Sequence, residues 1–354
     1  MRVKQNRPRR SPLTVRLLGL GTTVPPESVG PDEAWRLLGY RDPRVLRLFR
    51  NAGVDKRHVG FDPKSFRPGE SPDALAARFE RVALDLAARA ARRALDAAGL
   101  GPDAPAAIFA ATCTGYLCPG IATRLVPRLG LRDSVERGDL VGHGCSGAFP
   151  LLQRGRDFAA ARPGAAALLV AVEVCSAAYF VDDDPETEVA NALCADGAAA
   201  AVLSAGEGDA GPEVVRFASA LEPEHMGLVG FGRRDGFLRV RLDARIPDLA
   251  GPLLARAVER LLVPEGLRPD AVSRWALHPG GKRVLEKAIP AAGLPDAARE
   301  PAASVYREFG NMSSPTVLFV LERALAGGPL SPGETLVLAG LGPGFAAEAA
   351  LLRG

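Results

Sequence analysis

Short apolar runs alternate with longer helical stripes along most of the chain. Ala106–Ala111, Ala166–Val174 and Ala198–Leu203 are mainly apolar and bounded by Gly, Pro or polar residues, the pattern of strands buried on both faces. Upstream of the first, Leu75, Phe79, Val82, Ala83, Leu86, Ala90 and Ala94 approximate a 3.6-residue stripe, which predicts a helix over Ala74–Ala98 with Gly99 as its stop signal. The stretch Ala205–Pro212 is rich in turn residues and reads as a junction. A second series follows it: strand-like Glu213–Phe217, a helix near Leu249–Leu262, strand-like Trp275–Leu277, a helix over Pro315–Ala326 and a late strand at Leu336–Ala339. The chain is therefore α/β and divides into two comparable halves, while the absence of a short-period repeat argues against solenoids and propellers.

Composition leaves this picture unchanged. The 354 residues are 47% hydrophobic and 24% charged, close to the globular average. No stretch approaches the roughly 18 unbroken apolar residues of a membrane span. The basic start, Met1–Arg10, leads into no apolar signal core, so residues 1–14 read as a solvated tail of a cytoplasmic protein with no membrane partner. A net charge of +3 shows no broad basic surplus, and no nucleic-acid partner is expected. The five cysteines, at 113, 118, 145, 175 and 194, lack paired C-x-x-C spacing, so neither a metal site nor a disulfide framework is expected.

Candidate chemistry gathers at three places. In Asp139–Ala148, a β-type stretch runs through glycine into Cys145 and then into a helix beginning near Ser146. A thiol at a helix N-terminus is exposed to free N–H groups that favour thiolate, and the flanking glycines let a substrate approach the backbone; a buried inert thiol is the bland alternative. His278 ends the strand Trp275–Leu277 and is followed at once by Pro279-Gly280-Gly281, which sets an imidazole at a strand mouth. His143 is a rival base, two residues from Cys145. Asn311 lies in Gly310-Asn311-Met312-Ser313-Ser314 before an apolar helix, where Ser313 or Ser314 caps the helix and the amide turns into a cavity. Gly340–Phe345 is expected to be a constrained loop that shapes a pocket.

The strings around Cys145, His278, Asn311 and Gly340–Gly344, with Thr112-Cys113-Thr114-Gly115 and Cys194–Ala200, resemble type III polyketide synthases, the chalcone-synthase-like enzymes, from about Gly19 to the C-terminus. The resemblance implies a thiolase-like αβαβα five-layered sandwich of two similar halves, here residues 15–208 and 209–354, and a homodimer. It implies Cys145, His278 and Asn311 as a catalytic triad acting on an acyl-CoA starter and malonyl-CoA, with no cofactor beyond the CoA thioester substrates and no obligatory carrier protein. Arg50, Lys56 and Arg57 resemble the family's CoA-phosphate-binding stretch; solvated surface charge is the alternative. Ketoacyl-ACP synthase III looks similar in outline, but Pro-Gly-Gly after the histidine and Met-Ser-Ser after the asparagine favour the polyketide synthase branch.

Departures from the plant pattern bear on the substrate. Cys194 and Val240 stand where the plant enzymes carry gating Phe residues, Cys113, Cys175 and Ala178 replace Thr, and Cys118 aligns with a residue that reaches across the plant dimer. With Thr114, Ser313 and Pro343 these complete the expected pocket. Smaller side chains imply a roomier or more apolar cavity, hence a long or bulky starter and an alkylresorcinol or alkylpyrone product. Asp139–Gly142 and Cys175–Tyr179 also resemble bacterial dihydroxyphenylacetyl-CoA synthases, which use malonyl-CoA alone, and both readings stand on the sequence.

Overall fold

The computed structural model describes residues 14–354, so the basic tail expected over residues 1–14 lies, Thr14 apart, outside the described residues. The first half runs β1 (Arg16–Thr23), β2 (Ser28–Val29), α1 (Pro31–Leu37), α2 (Pro43–Asn51), β3 (Arg57–His58), α3 (Pro72–Ala97), β4 (Pro105–Thr112), α4 (Ile121–Leu129), β5 (Glu136–Val141), α5 (Ala148–Ala161), β6 (Ala166–Val174), α6 (Pro185–Leu193) and β7 (Asp196–Ser204). The second runs β8 (Glu213–Leu221), β9 (Val229–Arg234), β10 (Phe237–Leu242), α7 (Ile246–Leu262), β11 (Arg274–Leu277), α8 (Lys282–Ala291), α9 (Arg299–Phe309), α10 (Thr316–Leu325), β12 (Thr335–Gly342) and β13 (Ala346–Arg353).

The strand order repeats. In the first half it is β4-β6-β7-β1, with β5 added beside β4, and in the second it is β11-β12-β13-β8. Each series has one parallel ladder followed by two antiparallel ones. The two series meet where β1 and β8 share a single register pair, Arg16 with Glu213. Helices α3 and α4 cover the outer face of the first series, α7 covers that of the second with α8 packed against it, and α5 and α10 pack between the two. The result is a five-layered thiolase-like sandwich.

Local chemistry explains the layering. Every residue of β6 and β7 is buried, as two-sided coverage by helices demands. Helix α3 starts where Ser71 accepts a hydrogen bond from the Ala74 amide at 3.2 Å, with Pro72 at the first turn, a standard N-terminal signal. The buried face of its C-terminal part is mostly alanine, at Ala87, Ala88, Ala90, Ala91 and Ala94, and it sits directly on β1. A Cβ at Gly19 would lie 2.2 Å from the Ala94 carbonyl oxygen, and one at Gly21 2.5 Å from the Ala94 amide. Only glycine in the strand permits that approach.

Candidate active site

The turn carrying Cys145 is built by glycine. After β5 the chain passes through Gly142 at φ +86° and Gly144 at φ +48°, both in the left-handed region that favours glycine. A Cβ at Gly144 would also lie 2.4 Å from Cγ of Pro343. A short 3-10 turn over Gly144–Ser146 then feeds α5. The helix proper thus begins two residues later than the sequence suggests. The Ser146 amide and hydroxyl both donate to the His143 carbonyl, at 3.2 and 2.9 Å, which fixes Cys145 half-buried at the bend. His143 itself is exposed; neither it nor His278 is among the residues lining the cavity at Cys145, and His278 differs in being buried with its Cβ against Gly340 of β12.

His278 follows β11 and extends its ladder, its amide donating to the Ala339 carbonyl at 2.8 Å. Two glycines of β12 place it relative to Cys145. A Cβ at Gly340 would lie 2.7 Å from the His278 Cβ, and one at Gly342 2.8 Å from the Ser146 amide nitrogen. Residues i and i+2 share one strand face, about 7 Å apart along it. The imidazole and the nucleophile turn therefore lie side by side on β12. The expected loop over Gly340–Phe345 is accordingly shorter: Gly340–Gly342 belong to β12, and only the three residues between Gly342 and Ala346 turn the chain into β13.

Asn311 bridges the halves. Its amide donates to the Leu193 carbonyl and its carbonyl accepts from the Ala195 amide, both at 2.9 Å. Its side-chain Oδ1 accepts from the Ser313 amide at 2.8 Å, which orients Nδ2 toward the Gly280 carbonyl at 3.1 Å and Cys145 Sγ at 4.0 Å. Neither serine caps α10. The Ser314 hydroxyl donates to Glu173 at 2.7 Å and Ser313 Oγ lies 3.4 Å from Cys113 Sγ.

Burial sets the charge state. It pushes the Cys145 thiol up to about 12, only partly offset by hydrogen bonds from Ser313 and Asn311. It also lowers His278 to about 4, and both imidazole nitrogens are buried without a hydrogen-bond partner among the described residues. The resting pair is therefore neutral thiol and neutral imidazole. Unfolded histidine takes up a proton below about 6.5 and this one only below about 4. The associated stability is full above pH 6.5 and lost as pH falls toward 4, by up to ~3 kcal/mol. His278→Asn is expected to lose less melting temperature than the wild type between pH 6.5 and 4.5; parallel acid profiles would show that the imidazole is not held neutral.

An apolar cavity opens at Cys145. Of the anticipated residues, Thr114, Cys175, Ala178, Cys194, Val240, Asn311, Ser313 and Pro343 line it with Cys145. Cys113 does not, because its thiol turns back onto Glu173 at 3.2 Å. Cys118 is exposed on the loop after β4, away from this lining. Of the two expectations from small residues, a roomier or a more apolar cavity, the structure holds the apolar one and not the roomier. Tyr179, Phe231 and Leu242 occupy the wall, and the free space is about 50 Å³.

The anticipated CoA-binding stretch also needs correcting. Arg57 is fully buried beneath Phe49, its guanidinium 5.3 Å from the ring and donating to the Ala192 carbonyl at 3.0 Å, so it cannot meet an external phosphate. Arg50 is exposed but committed to Asp32 by hydrogen bonds of 2.8 and 2.6 Å. Lys56 is exposed and makes no ion pair among the described residues.

One residue escaped the sequence reading. Glu173 near the end of β6 is fully buried and accepts from the Cys113 and Thr114 amides, at 2.9 and 3.0 Å, and the Thr114 and Ser314 hydroxyls, at 2.8 and 2.7 Å. Burial raises its pKa. It organises the loop after β4 and the Ser313-Ser314 turn around one carboxylate behind the cavity wall. The available signal was a lone carboxylate within an all-apolar strand, which must find partners.

The fold is that of thiolase-like condensing enzymes. Residues 71–207 match the family model for the N-terminal domain of chalcone and stilbene synthases, and residues 262–354 match that for the C-terminal part of 3-oxoacyl-[acyl-carrier-protein] synthase III. The 3,5-dihydroxyphenylacetyl-CoA synthase of Streptomyces toyocaensis is 34% identical over 97% of this chain and 91% of its own. The 1,3,6,8-tetrahydroxynaphthalene synthase of Streptomyces peucetius subsp. caesius is 36% identical over 87% of this chain and 83% of its own. The crystal structure of 1,3,6,8-tetrahydroxynaphthalene synthase from Streptomyces coelicolor superposes with a TM-score of 0.88 at 28% identity, covering 96% of this chain and 99% of that one. The chain belongs to the type III polyketide synthases, decarboxylating condensing acyltransferases that use CoA thioesters and need no carrier protein.

Proposed function

We propose that this enzyme builds a short aromatic polyketide from malonyl-CoA alone, using Cys145 as nucleophile and His278 and Asn311 as proton carrier and hydrogen-bond donors. The observation that carries the substrate choice is the small, apolar cavity at Cys145, about 50 Å³: any growing chain must displace some of its wall, and a preformed long alkyl chain must displace far more than a two-carbon unit. Its small side chains at Cys175, Ala178, Cys194 and Val240 are offset by Tyr179, Phe231 and Leu242. The relatives add support: dihydroxyphenylacetyl and tetrahydroxynaphthalene skeletons hold whole numbers of two-carbon units.

In the loading step the Cys145 proton passes to His278 as the thioester carbonyl approaches, the sulfur attacks that carbonyl, and the departing CoA thiolate takes the proton back. Burial disfavours both charged partners beforehand, so the transfer is coupled to substrate binding. In extension, malonyl-CoA loses CO2 and the electron pair collects on its thioester oxygen, where His278 and the Asn311 amide donate hydrogen bonds. The enolate carbon then attacks the Cys145 thioester and releases the sulfur. Lys56 is the residue of its stretch still suited to CoA phosphates.

A homodimer is part of this reading. Tyr116, two residues before Cys118, and Val141 are exposed at 73% and 59%, and Val141 pairs with Thr112 where the loop carrying Tyr116 and Cys118 leaves the sheet; such apolar exposure suits an interface. A cytoplasmic location, where CoA thioesters are made, fits the same reading, and no helix among the described residues is long and apolar enough to cross a membrane.

The test is incubation with malonyl-CoA alone and with acetyl- to palmitoyl-CoA starters, with products identified by mass. An aromatic product from malonyl-CoA alone is expected. Product only when a long acyl-CoA is added would overturn the proposal.

A further inference from the structure

The cavity has one wall that is not part of the sandwich. Strands β9 and β10 pair only with each other, yet they supply Phe231, Val240 and Leu242 to the lining. Across the cavity stand Ala190 and Asn191 of α6 and Cys194 just beyond it. The hairpin therefore acts as a roof with no sheet ladder to the sandwich, held at its base by one main-chain bond from the Gly344 amide to the Val229 carbonyl at 3.3 Å and elsewhere by side-chain ties.

Those ties converge on Arg239. Its side chain is only 11% exposed, ion-paired to Asp182 and 3.6 Å from Asp184. The same guanidinium donates to Thr187 Oγ1 at 3.0 Å and lies 4.6 Å over the Phe180 ring. Phe180 packs in turn on Phe237 of β10 at 4.5 Å, and the Leu242 amide donates to Glu186 at 3.3 Å. Every partner comes from Phe180–Thr187, the segment that leads into α6. Arg239 thus fastens one cavity wall to the start of the opposite one. A planar guanidinium suits this task because it can bind two carboxylates, a hydroxyl and a ring face together, which a lysine ammonium cannot.

We propose that Arg239 is a positioning residue that holds the β9–β10 roof down on α6 and so limits how large a polyketide can grow on Cys145. The proposal rests on the polyketide synthase reading above. With free space of only about 50 Å³, a growing chain must displace some wall, and the hairpin is the wall lacking a ladder to the main sheet. Without Arg239, Asp182 and Asp184 keep only the Asp184 and Glu186 amides as partners, their like charges are no longer bridged, and the roof lifts.

The experiment compares the full-length wild type with Arg239→Leu, Arg239→Lys, Asp182→Asn and the exposed neighbour control Arg241→Leu. Product masses from malonyl-CoA alone are measured, together with kcat and KM for acetyl-CoA and octanoyl-CoA as starters. Arg239→Leu is expected to shift the main product up by at least one two-carbon unit, or to raise the octanoyl-to-acetyl ratio of kcat/KM about tenfold. Arg239→Lys and Asp182→Asn should move the same way by less, and Arg241→Leu should match the wild type. An unchanged product distribution with only a slower rate in Arg239→Leu would overturn the proposal; if that variant fails to fold, unchanged products from Asp182→Asn would do so. Should the wild type make no polyketide, the functional reading fails separately. The clamp is then judged by amide exchange over residues 229–242, faster by about tenfold in Arg239→Leu if it exists and unchanged if it does not.

Discussion

Cys145→Ala is expected to leave a folded protein whose product formation has fallen by on the order of a thousandfold or more. No other thiol is placed to take over. Cys113 is drawn onto Glu173 and Ser313, and burial with that carboxylate raises its pKa well above the ordinary value. Cys175 and Cys194 line the same cavity, but Asn311 Nδ2 points at Cys145 Sγ. Intact-mass measurement after incubation with substrate should find an acyl adduct on the wild type and none on the variant. Slow CO2 release from malonyl-CoA should persist, because His278 and Asn311 remain to stabilise the enolate. An acylated variant, or one that forms product normally, would move the nucleophile to another residue.

The parts of the molecule legible in the sequence are those whose signal is local. Strands β4, β6 and β7 announce themselves because burial on both faces leaves no polar alternation, and α3 because its apolar stripe, Ser71 cap and terminal Gly99 all agree. Hairpin β9–β10 was not read. Its strands are partly exposed on both faces, and Gly232-Arg233-Arg234-Asp235-Gly236 looks like charged surface. Arg57 misleads for the complementary reason. It sits in a run with Lys56 and His58 that suggests solvent, yet the tertiary fold closes Phe49 and Ala192 over it. Small residues at Cys175, Ala178, Cys194 and Val240 were visible, but Phe231, which helps to fill the space they leave, reaches it from the unread strand β9, and nothing in Cys175–Tyr179 itself tells that the Tyr179 ring turns into the cavity. A cavity's size depends on which side chains converge, and convergence is not written in any one segment.

Asn311→Ala is expected to slow malonyl-CoA decarboxylation about 10²- to 10³-fold, the usual consequence of removing one oxyanion donor, about 2.7–4 kcal/mol. The backbone at this position should stay in place, since its two bonds to Leu193 and Ala195 involve only main-chain atoms. What the variant also loses is the bond from the Ser313 amide to Oδ1, beside a serine held at φ +58°, so a lower rate alone would not separate a missing donor from a relaxed turn. Asn311→Asp makes the separation. An aspartate keeps an oxygen to accept from the Ser313 amide but presents a carboxylate where Nδ2 stood, and negative charge there opposes the enolate. If the donor matters, Asp is no better than Ala in CO2 release while restoring the melting temperature that Ala loses. If the turn matters, Asp recovers activity together with stability. Acyl loading, followed separately by intact mass, should fall less than decarboxylation in both variants, because attack by Cys145 depends first on His278 taking the thiol proton. Decarboxylation within about threefold of the wild type in Asn311→Ala would remove the amide from the reaction and leave it a structural bridge between the two halves.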